Sequence, residues 1–441
     1  MRPSAATAFE LVLACAVAAS VGAGPADGNE PSSPAPQATA SPTPPPAPAP
    51  EVTAGLPIKF GASLTIRDDT IDVADQTDLQ VDDQTSALRA RYRLWLEYRD
   101  AGSLVNAALR FGSAQNPNPT ASFIRMGNAF RTESFGLDQF YLTVRPFKKR
   151  EMLALTAGKM PLPFWRGEKG PFRSQLVWDN DISPVGTAGR LGFTLHTDAK
   201  GRTVRIENAG GYFVMEDVPQ VRFTGLVGKT FLLADQVHVQ APHVGVAVAL
   251  YSFEDLNAGL RSPGFTPGEG AFLLPGTPAF LMRSGLQVTN SNVNYGPGAV
   301  GFIQDRFRIF NAIGQVDTGV HLKWLGQTQV FALADFVHNS SVDRDRRGYA
   351  LTGGLFGGGW KGSLHPYELH FTWADVDRDG TLAAFANGDL GAGTDYKGWE
   401  VGGNYRVSRN LLLAITYFAF DGAPRKDSFV KRLFLDVTWD F

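Results

Sequence analysis

The segment RLFLDVTWDF, residues 432–441, decides the fold of this chain. Every second residue in it is apolar, and polar residues fill all but one of the positions between. Because successive side chains of a β-strand point to opposite faces, this alternation predicts a strand with one apolar and one polar face. Phe434 is the single apolar residue on the polar face.

The same alternation recurs in long runs elsewhere in the chain. Residues 88–98 and 367–373 repeat it, with aromatic residues near the ends of the runs. Runs of about ten residues exceed the roughly five to six of soluble strands and match the ~9–11 that a tilted strand needs to cross a membrane. Aromatic residues at both interfaces are typical of membrane barrels. We therefore expect an all-β chain that forms a membrane-spanning antiparallel β-barrel.

The spacing of the connections predicts the size of the barrel. Short turns alternate with long loops when the strands are counted from either end, as in bacterial outer-membrane barrels, and the count closes at about sixteen strands. Segment 254–313 is long enough to hide another hairpin, which would make eighteen. A barrel of either size is too wide for side chains to fill, so water occupies it. The predicted strands include 56–67, 86–98, 104–112, 135–145, 152–158, 189–197, 203–215, 222–233, 243–253, 314–323, 327–338, 348–356 and 430–441.

The N-terminal region has the composition of an export signal and a tether. Residues 1–23 combine Arg2, an apolar run and a small-residue site, which predicts a signal peptide, with a lipoprotein-type Cys15 as the less favoured alternative. Residues 24–54 are rich in Pro and Ala and predict an extended periplasmic linker. The barrel domain is then 55–441.

Composition argues against several classes of function. A net charge of −2 gives no reason to expect nucleic acid as a partner. Cys15 is the only cysteine, and none of the seven histidines lies in a Gly-x-Ser-x-Gly or His-Glu-x-x-His context. We therefore expect neither an enzyme nor a protein with a metal or cofactor.

Arginines on the polar face of the strands are candidates for solute selection. The second predicted strand carries Arg89, Arg91 and Arg93 on one face, and Arg110 on the third strand faces the same lumen. A turn centred near residues 100 and 101 would place Arg91 opposite Arg110. Four guanidinium groups in one sector would attract anions and could fork onto carboxylate or phosphate groups. The structural alternative is that they pair with Glu97 and other acids of the wall.

Two acidic segments suggest cation binding only weakly. Asp375, Asp377 and Asp379 copy the start of a calcium loop, but Ala386 stands where a bidentate Glu is needed. The aspartates between residues 68 and 83 could bridge divalent cations to lipopolysaccharide from an external loop, although a solvated loop tip is the simpler interpretation.

Two motifs resemble known outer-membrane proteins. Segment 433–441 is similar to the C-terminal signal that the barrel assembly machinery reads, with Trp439 and Phe441 as its aromatic residues. Segment 176–186, LVWDNDISPVG, followed by Gly-Arg-Leu-Gly-Phe at 189–193, resembles the putative-porin family of Gram-negative bacteria. The resemblance implies an integral outer-membrane porin for passive diffusion of small hydrophilic solutes. Homotrimers are the common arrangement in sixteen-stranded porins, which is analogy only.

By the strand count, residues 158–188 form the third outer loop, which in general porins folds into the channel. Its charges could form a constriction, and the turn 178–181 could anchor the loop to the wall; an Asx-turn cluster that only shapes the loop is equally open. A surface-binding or adhesion barrel, with segment 254–313 as an external platform, is the alternative function. The candidate constriction residues are Arg166, Lys169, Arg173, Trp178, Asp179 and Asp181.

Overall fold

A computed structural model describes residues 57–74, 85–99, 103–113, 122–126, 135–147, 152–167, 172–217, 229–256, 306–322, 326–357, 367–383, 385–387, 389, 393–422 and 429–441. These residues form 17 strands and contain no helix long and apolar enough to cross a membrane. The strands are β1 (Ile58–Ala74), β2 (Thr85–Tyr98), β3 (Val105–Ser113), β4 (Ile124–Arg125), β5 (Phe135–Val144), β6 (Leu153–Lys159), β7 (Val185–Thr197), β8 (Thr203–Asp217), β9 (Lys229–Gln240), β10 (Val244–Glu254), β11 (Phe307–Leu322), β12 (Gly326–Asn339), β13 (Arg347–Gly357), β14 (Tyr367–Val376), β15 (Tyr396–Arg406), β16 (Leu411–Gly422) and β17 (Phe429–Asp440).

The strands close into one antiparallel barrel. Each pairs with its neighbours in chain order, and β1 pairs with both β2 and β17. The two-residue β4 lies outside this order and pairs with β2, so the wall has sixteen strands. The prediction of a sixteen-strand barrel is therefore confirmed. The alternative of eighteen is wrong, because β10 pairs directly with β11 and leaves no room for a further hairpin.

The two faces of the wall differ as the alternation predicts. On β10, Val248 and Leu250 are 41% and 62% exposed, whereas Ala249 and Tyr251 are 1% exposed. The same alternation on the other strands gives the barrel an apolar outer belt, as a hydrocarbon environment requires. The inner face is charged along β1, β2 and β17, whereas along β8 to β12 it mixes buried apolar residues with buried polar ones such as Gln236 and Asp335, and loop residues pack on it.

Two predicted strands were misplaced along the sequence. The eighth was expected at 222–233 and lies at Lys229–Gln240; the tenth was expected at 314–323 and begins at Phe307. In β11 the missed part begins with Phe307 and Ile309, which point inward and are buried, so the lumen face there is apolar and the period of two is weakened. In β9 the missed residues 234–240 do alternate, with Gln236 and His238 buried inside and Val237 and Val239 exposed outside, so that strand was placed too early despite a readable pattern.

The register between β1 and β17, the closing pair of strands, predicts which disulfides can form. Thr65 lies opposite Thr438, and their hydroxyl groups are 2.9 Å apart. Paired cysteines at these positions should join within one barrel, because directly opposed residues meet the Cα separation of roughly 4.4–6.8 Å that a disulfide needs. Non-reducing electrophoresis of the folded and heat-unfolded protein measures this bond.

The matched control is Ser63→Cys with Asp436→Cys. The sequence suggests that these two lumen-facing residues lie near each other, but Ser63 is opposite Asp440 and Asp436 is opposite Arg67. An offset of four residues corresponds to about 13 Å along a strand, too far for a disulfide. Cross-linking of the control pair and not of the 65–438 pair would disprove the register.

Candidate functional site

One wall of the lumen is built from arginine–aspartate pairs on three neighbouring strands. Asp69 on β1 accepts hydrogen bonds from both Nε and Nη2 of Arg432 on β17, each at 2.9 Å, and Arg89 Nε on β2 lies 2.8 Å away. Arg67 binds Asp436 through two nitrogens, at 2.7 and 2.8 Å. The closing strands are thus joined by charge-assisted, forked hydrogen bonds as well as by the backbone.

Two phenylalanines stack between these arginines. The guanidinium of Arg67 lies 4.0 Å from the ring centroid of Phe123 and 3.8 Å from that of Phe434. Arg91 covers Phe123 at 4.6 Å, and Arg432 covers Phe434 at 4.4 Å. Each such cation–π contact contributes roughly 0.5–2 kcal/mol, depending on desolvation. Phe434 breaks the polar alternation of its strand because it holds arginines in place.

Further along the same wall, Arg93 and Arg110 share a carboxylate. Nε of Arg110 lies 2.6 Å from Asp138, and Nε of Arg93 lies 3.7 Å from the same group. The expected pairing of Arg91 with Arg110 is wrong, because Arg110 lies opposite Trp95. The turn is centred between residues 102 and 103 rather than near 100, which shifts the register.

The described residues between β6 and β7, 160–167 and 172–184, are called the inner loop because they lie inside the barrel. Its first anchor is on β9, where the backbone N–H of Trp165 donates to the Gln236 side chain at 2.7 Å and the Gln236 amide donates back to the Trp165 carbonyl at 2.9 Å. The indole stacks on His238 with ring centroids 5.6 Å apart. Gly245 leaves room for the indole, since a Cβ there would lie 2.5 Å from it.

A second anchor joins the inner loop to β11 and β12. The hydroxyl of Ser174 donates to the buried carboxylate of Asp335, which also accepts the side-chain amide of Asn311 at 2.5 Å. Gly167 has a φ of +90°, and a Cβ there would meet the Leu333 side chain at 2.5 Å. Glycine is required here both for the left-handed backbone and for close contact with the wall.

Trp178 occupies an aromatic cluster on the same side of the lumen. Its ring lies 5.3 Å from Tyr251, 6.1 Å from Phe385 and 6.2 Å from Phe164 between centroids. The backbone N–H of Asp179 donates to the Phe385 carbonyl at 2.7 Å, so the segment after β14 is fixed to the inner loop as well. The inner loop therefore rests on a packed apolar layer.

Asp181 connects the inner loop to the arginine wall on the opposite side. Its carboxylate accepts hydrogen bonds from Arg93 at 2.7 Å and Ser122 at 2.6 Å, and Arg91 lies at 3.5 Å. These three contacts are called the Asp181 latch. Asp179 accepts the N–H of Asp181 at 2.8 Å, an Asx-turn that orients it. The turn 178–181 thus combines an Asx-turn with contacts to the wall, and its role in a constriction stays a prediction.

Electrostatics keep the latch ionised. Burial raises the pKa of Asp181, but Arg91, Arg93 and the hydrogen bonds outweigh it and lower the pKa to about 2. Burial lowers the pKa of Arg166 on the same loop to about 10, which still leaves it charged at neutral pH. Arg166 Nη1 donates to the Trp178 carbonyl at 2.8 Å and to the Ser174 carbonyl at 3.5 Å.

A cavity of about 220 Å³ remains between the inner loop and the arginine wall. Among the described residues that line it, four are arginines and none is acidic. This cavity between the inner loop and the wall is the candidate functional site. It is lined by Arg93, Arg110, Gln139, Pro161, Leu162, Phe164, Arg166, Arg173, Asn180 and Ile182.

Sequence reasoning located only part of this site. Lys169 lies outside the described residues. Glu97 pairs with Arg99 at 3.0 Å rather than with a lumen arginine. Asp138 was missed because a β-bulge after Arg110 interrupts the alternation and turns both Asp138 and Gln139 toward the lumen. The period of two would have identified the other missed residues on β1 and β17, which are Arg67, Asp69, Arg432 and Asp436.

Asp375, Asp377 and Asp379 are not among the described residues that line this cavity, and Asp75 to Asp83 lie outside the described residues. Asp375 pairs with Lys397 at 3.4 Å, and the Asp377 carboxylate accepts the backbone N–H of Arg347 at 3.1 Å. No group of three potential metal ligands occurs in the part of the chain that the structure describes. The expected acidic loop after residue 67 begins later than predicted, because β1 continues to Ala74 and buries Asp69 inside the barrel.

The aromatic residues of the last strand lie on the outer surface at its end. Trp439 is 39% exposed and Phe441 is 74% exposed. Phe441 exchanges two backbone hydrogen bonds with Ala62 on β1, at 2.8 and 3.2 Å. The ladder of the closing pair therefore extends to residue 441.

A closed barrel with an apolar outer belt, a charged lumen and an inward-folded loop defines a channel-type outer-membrane protein. A family model described as "Putative porin" matches residues 61–441, and the chain belongs to this family.

Solved structures of similar proteins include further porins. A mutant of Rh. blastica porin is 12% identical, with 87% of this chain and 100% of that chain covered and a TM-score of 0.43. A loop-deletion mutant of OmpT, an outer membrane protein of Vibrio cholerae, is 10% identical, with 87% and 99% covered and a TM-score of 0.44. A comparison with curated proteins gave no significant match.

The pKa of Asp181 predicts how the latch responds to pH. Its pKa in the folded protein, about 2, lies below the ordinary value. The ionised carboxylate therefore stabilises the folded loop fully above pH ~3.9, and this contribution is lost as the pH falls toward the folded value. Single-channel conductance of the wild type should stay constant from about pH 7 to about pH 4 and change only in stronger acid.

At neutral pH the Asp181→Asn channel should have a higher and noisier conductance than the wild type. Arg91 and Arg93 lose their shared anionic partner, so the latch no longer holds the inner loop to the wall. Asp198→Asn is the control, since Asp198 is a carboxylate of the exposed turn 198–202 with a lowered pKa of its own. If Asp181→Asn conducts like the wild type, the latch does not hold the loop.

Proposed function

We propose that this protein is an outer-membrane porin whose water-filled channel lets small hydrophilic solutes diffuse passively, with a preference for anions. The supporting observation is that the described residues lining the cavity, called the constriction cavity, include four arginines and no acidic side chain. Large pores select solutes by the charges and inward loops at their narrowest place. Non-enzymatic transport agrees with membership of the porin family.

The preference rests on a few of the arginines rather than on all of them. Arg93 and Arg110 of the cavity are paired with Asp138 and Asp181, so their charges are partly neutralised. Arg67, Arg89 and Arg432 are paired with other carboxylates of the wall. Arg166 lines the cavity, and its hydrogen bonds among the described residues go to carbonyl oxygens, while Asp179 acts on it through charge alone. Each of the four arginines predicted from the sequence has a carboxylate nearby, so in this proposal the selection of anions rests mainly on Arg166 of the inner loop.

Three partners belong to the same proposal. The exposed aromatic residues Trp439 and Phe441 lie where the barrel assembly machinery would read a terminal strand. Asp68 and Asp72 stand on the part of β1 that leads to the first long loop, where divalent cations could join them to lipopolysaccharide. A homotrimer is proposed from the common arrangement of sixteen-stranded porins. The adhesion alternative depends on segment 254–313, of which residues 257–305 lie outside the described residues.

Reversal potential in a planar bilayer under a KCl gradient tests anion preference. Arg91→Glu should shift the reversal potential toward cation preference, because it removes one positive charge beside Arg93 and adds a negative one. Arg202→Glu is the matched control, since Arg202 lies in an exposed turn far from the constriction and pairs with Asp198. A wild-type channel without anion preference, or an unchanged potential in Arg91→Glu, would refute the proposed selectivity.

A further inference from the structure

The constriction cavity is lined by two kinds of side chain. Arg110 comes from β3 of the wall, and Arg166 comes from the inner loop. Leu162, Phe164 and Ile182 of the inner loop supply its apolar lining, which is called the apolar side. A ligand that satisfies both kinds of side chain carries an anionic group and an apolar body.

The guanidinium groups offer free donor edges to such a ligand. Arg110 uses Nε for Asp138 at 2.6 Å, and Arg166 uses Nη1 for two backbone carbonyls. Among the described residues, the remaining N–H groups of these two arginines have no hydrogen-bond acceptor. Guanidinium N–H pairs match the two oxygens of a carboxylate, whereas a halide accepts no forked pair.

The volume of the cavity limits the ligand. At about 220 Å³ it is smaller than the ~300–1,000 Å³ pockets that hold drug-sized molecules. The ligand therefore has only a few carbon atoms. A bare tetrahedral phosphate would use the arginines but leave the apolar side in contact with water.

We infer that the constriction holds a saturable binding site for small organic monocarboxylates, with Arg110 and Arg166 gripping the carboxylate and Leu162, Phe164 and Ile182 receiving the hydrocarbon. This inference rests on the proposed function and deepens it, because it names the class of solute. The channel then allows diffusion and also binds these anions transiently at the constriction.

Block of the chloride current by potassium butyrate tests the site in the full-length protein in planar bilayers. Butyrate should reduce the wild-type current with a saturating concentration dependence. Arg166→Gln should raise the half-blocking concentration roughly tenfold or more, the effect of losing charge-assisted hydrogen bonds. Arg166→Lys keeps the charge but not the fork, and it should restore only part of the block. Arg202→Gln and Arg202→Lys are matched controls, and heat-dependent electrophoretic mobility checks that each barrel is folded.

Inorganic phosphate and Leu162→Thr separate the two sides of the cavity. Leu162→Thr should weaken block by butyrate and leave block by phosphate unchanged. Equal block of the wild type by both anions, or no change in Leu162→Thr, would overturn the role of the apolar side. A current that never saturates would overturn the site.

The same recordings distinguish this inference from the proposed function. The reversal potential in KCl reports anion preference without butyrate. Anion preference without butyrate block refutes the site alone, whereas butyrate block without anion preference refutes the proposed selectivity and supports the site.

Discussion

Closure of the hydrogen-bond ladder is the constraint on which every other feature depends. Within a hydrocarbon layer an unpaired strand edge costs several kcal/mol for each backbone group, so a sheet that spans a membrane has no stable open form. Pairing of β1 with β17 removes both edges at once. The closed wall then separates an apolar exterior from an interior that can hold charges, and strict alternation along each strand follows from that separation.

Inside this wall, the inner loop is held by packing on one side and by charged contacts on the other. Trp165, Ser174 and Trp178 fix the loop against inward-facing residues of β9 to β12, partly through an aromatic layer that excludes water. Asp181 reaches the other wall and meets arginines that would otherwise repel one another. Packing thus sets the depth of the loop, and charge sets its distance from the arginine wall. Arg110 and Arg166 are among the residues that line the cavity between the inner loop and the arginine wall.

The sequence alone predicted the fold well, because alternation, strand length and the order of short and long connections are local properties. It placed β9 too early and β11 too late, the latter because Phe307 and Ile309 make the lumen side apolar as well. The candidate site was predictable as a set of inward arginines and a charged loop. Their partners were less so: Asp138 faces inward only through a bulge, and the neighbourhood of Arg93 and Asp181 depends on how the loop crosses the lumen.

The pairs Arg67–Asp436 and Asp69–Arg432 join residues separated by 369 and 363 positions in the chain. Such non-local contacts form late, because the loop-closure entropy must be overcome before they contribute. A barrel that has inserted all strands except the last would therefore hold Arg67 and Asp69 without their partners from that strand, beside a gap in the wall. The channel lining is therefore completed only in the last step of folding, when the last strand pairs with the first. An intermediate that lacks this pairing has an incomplete pore.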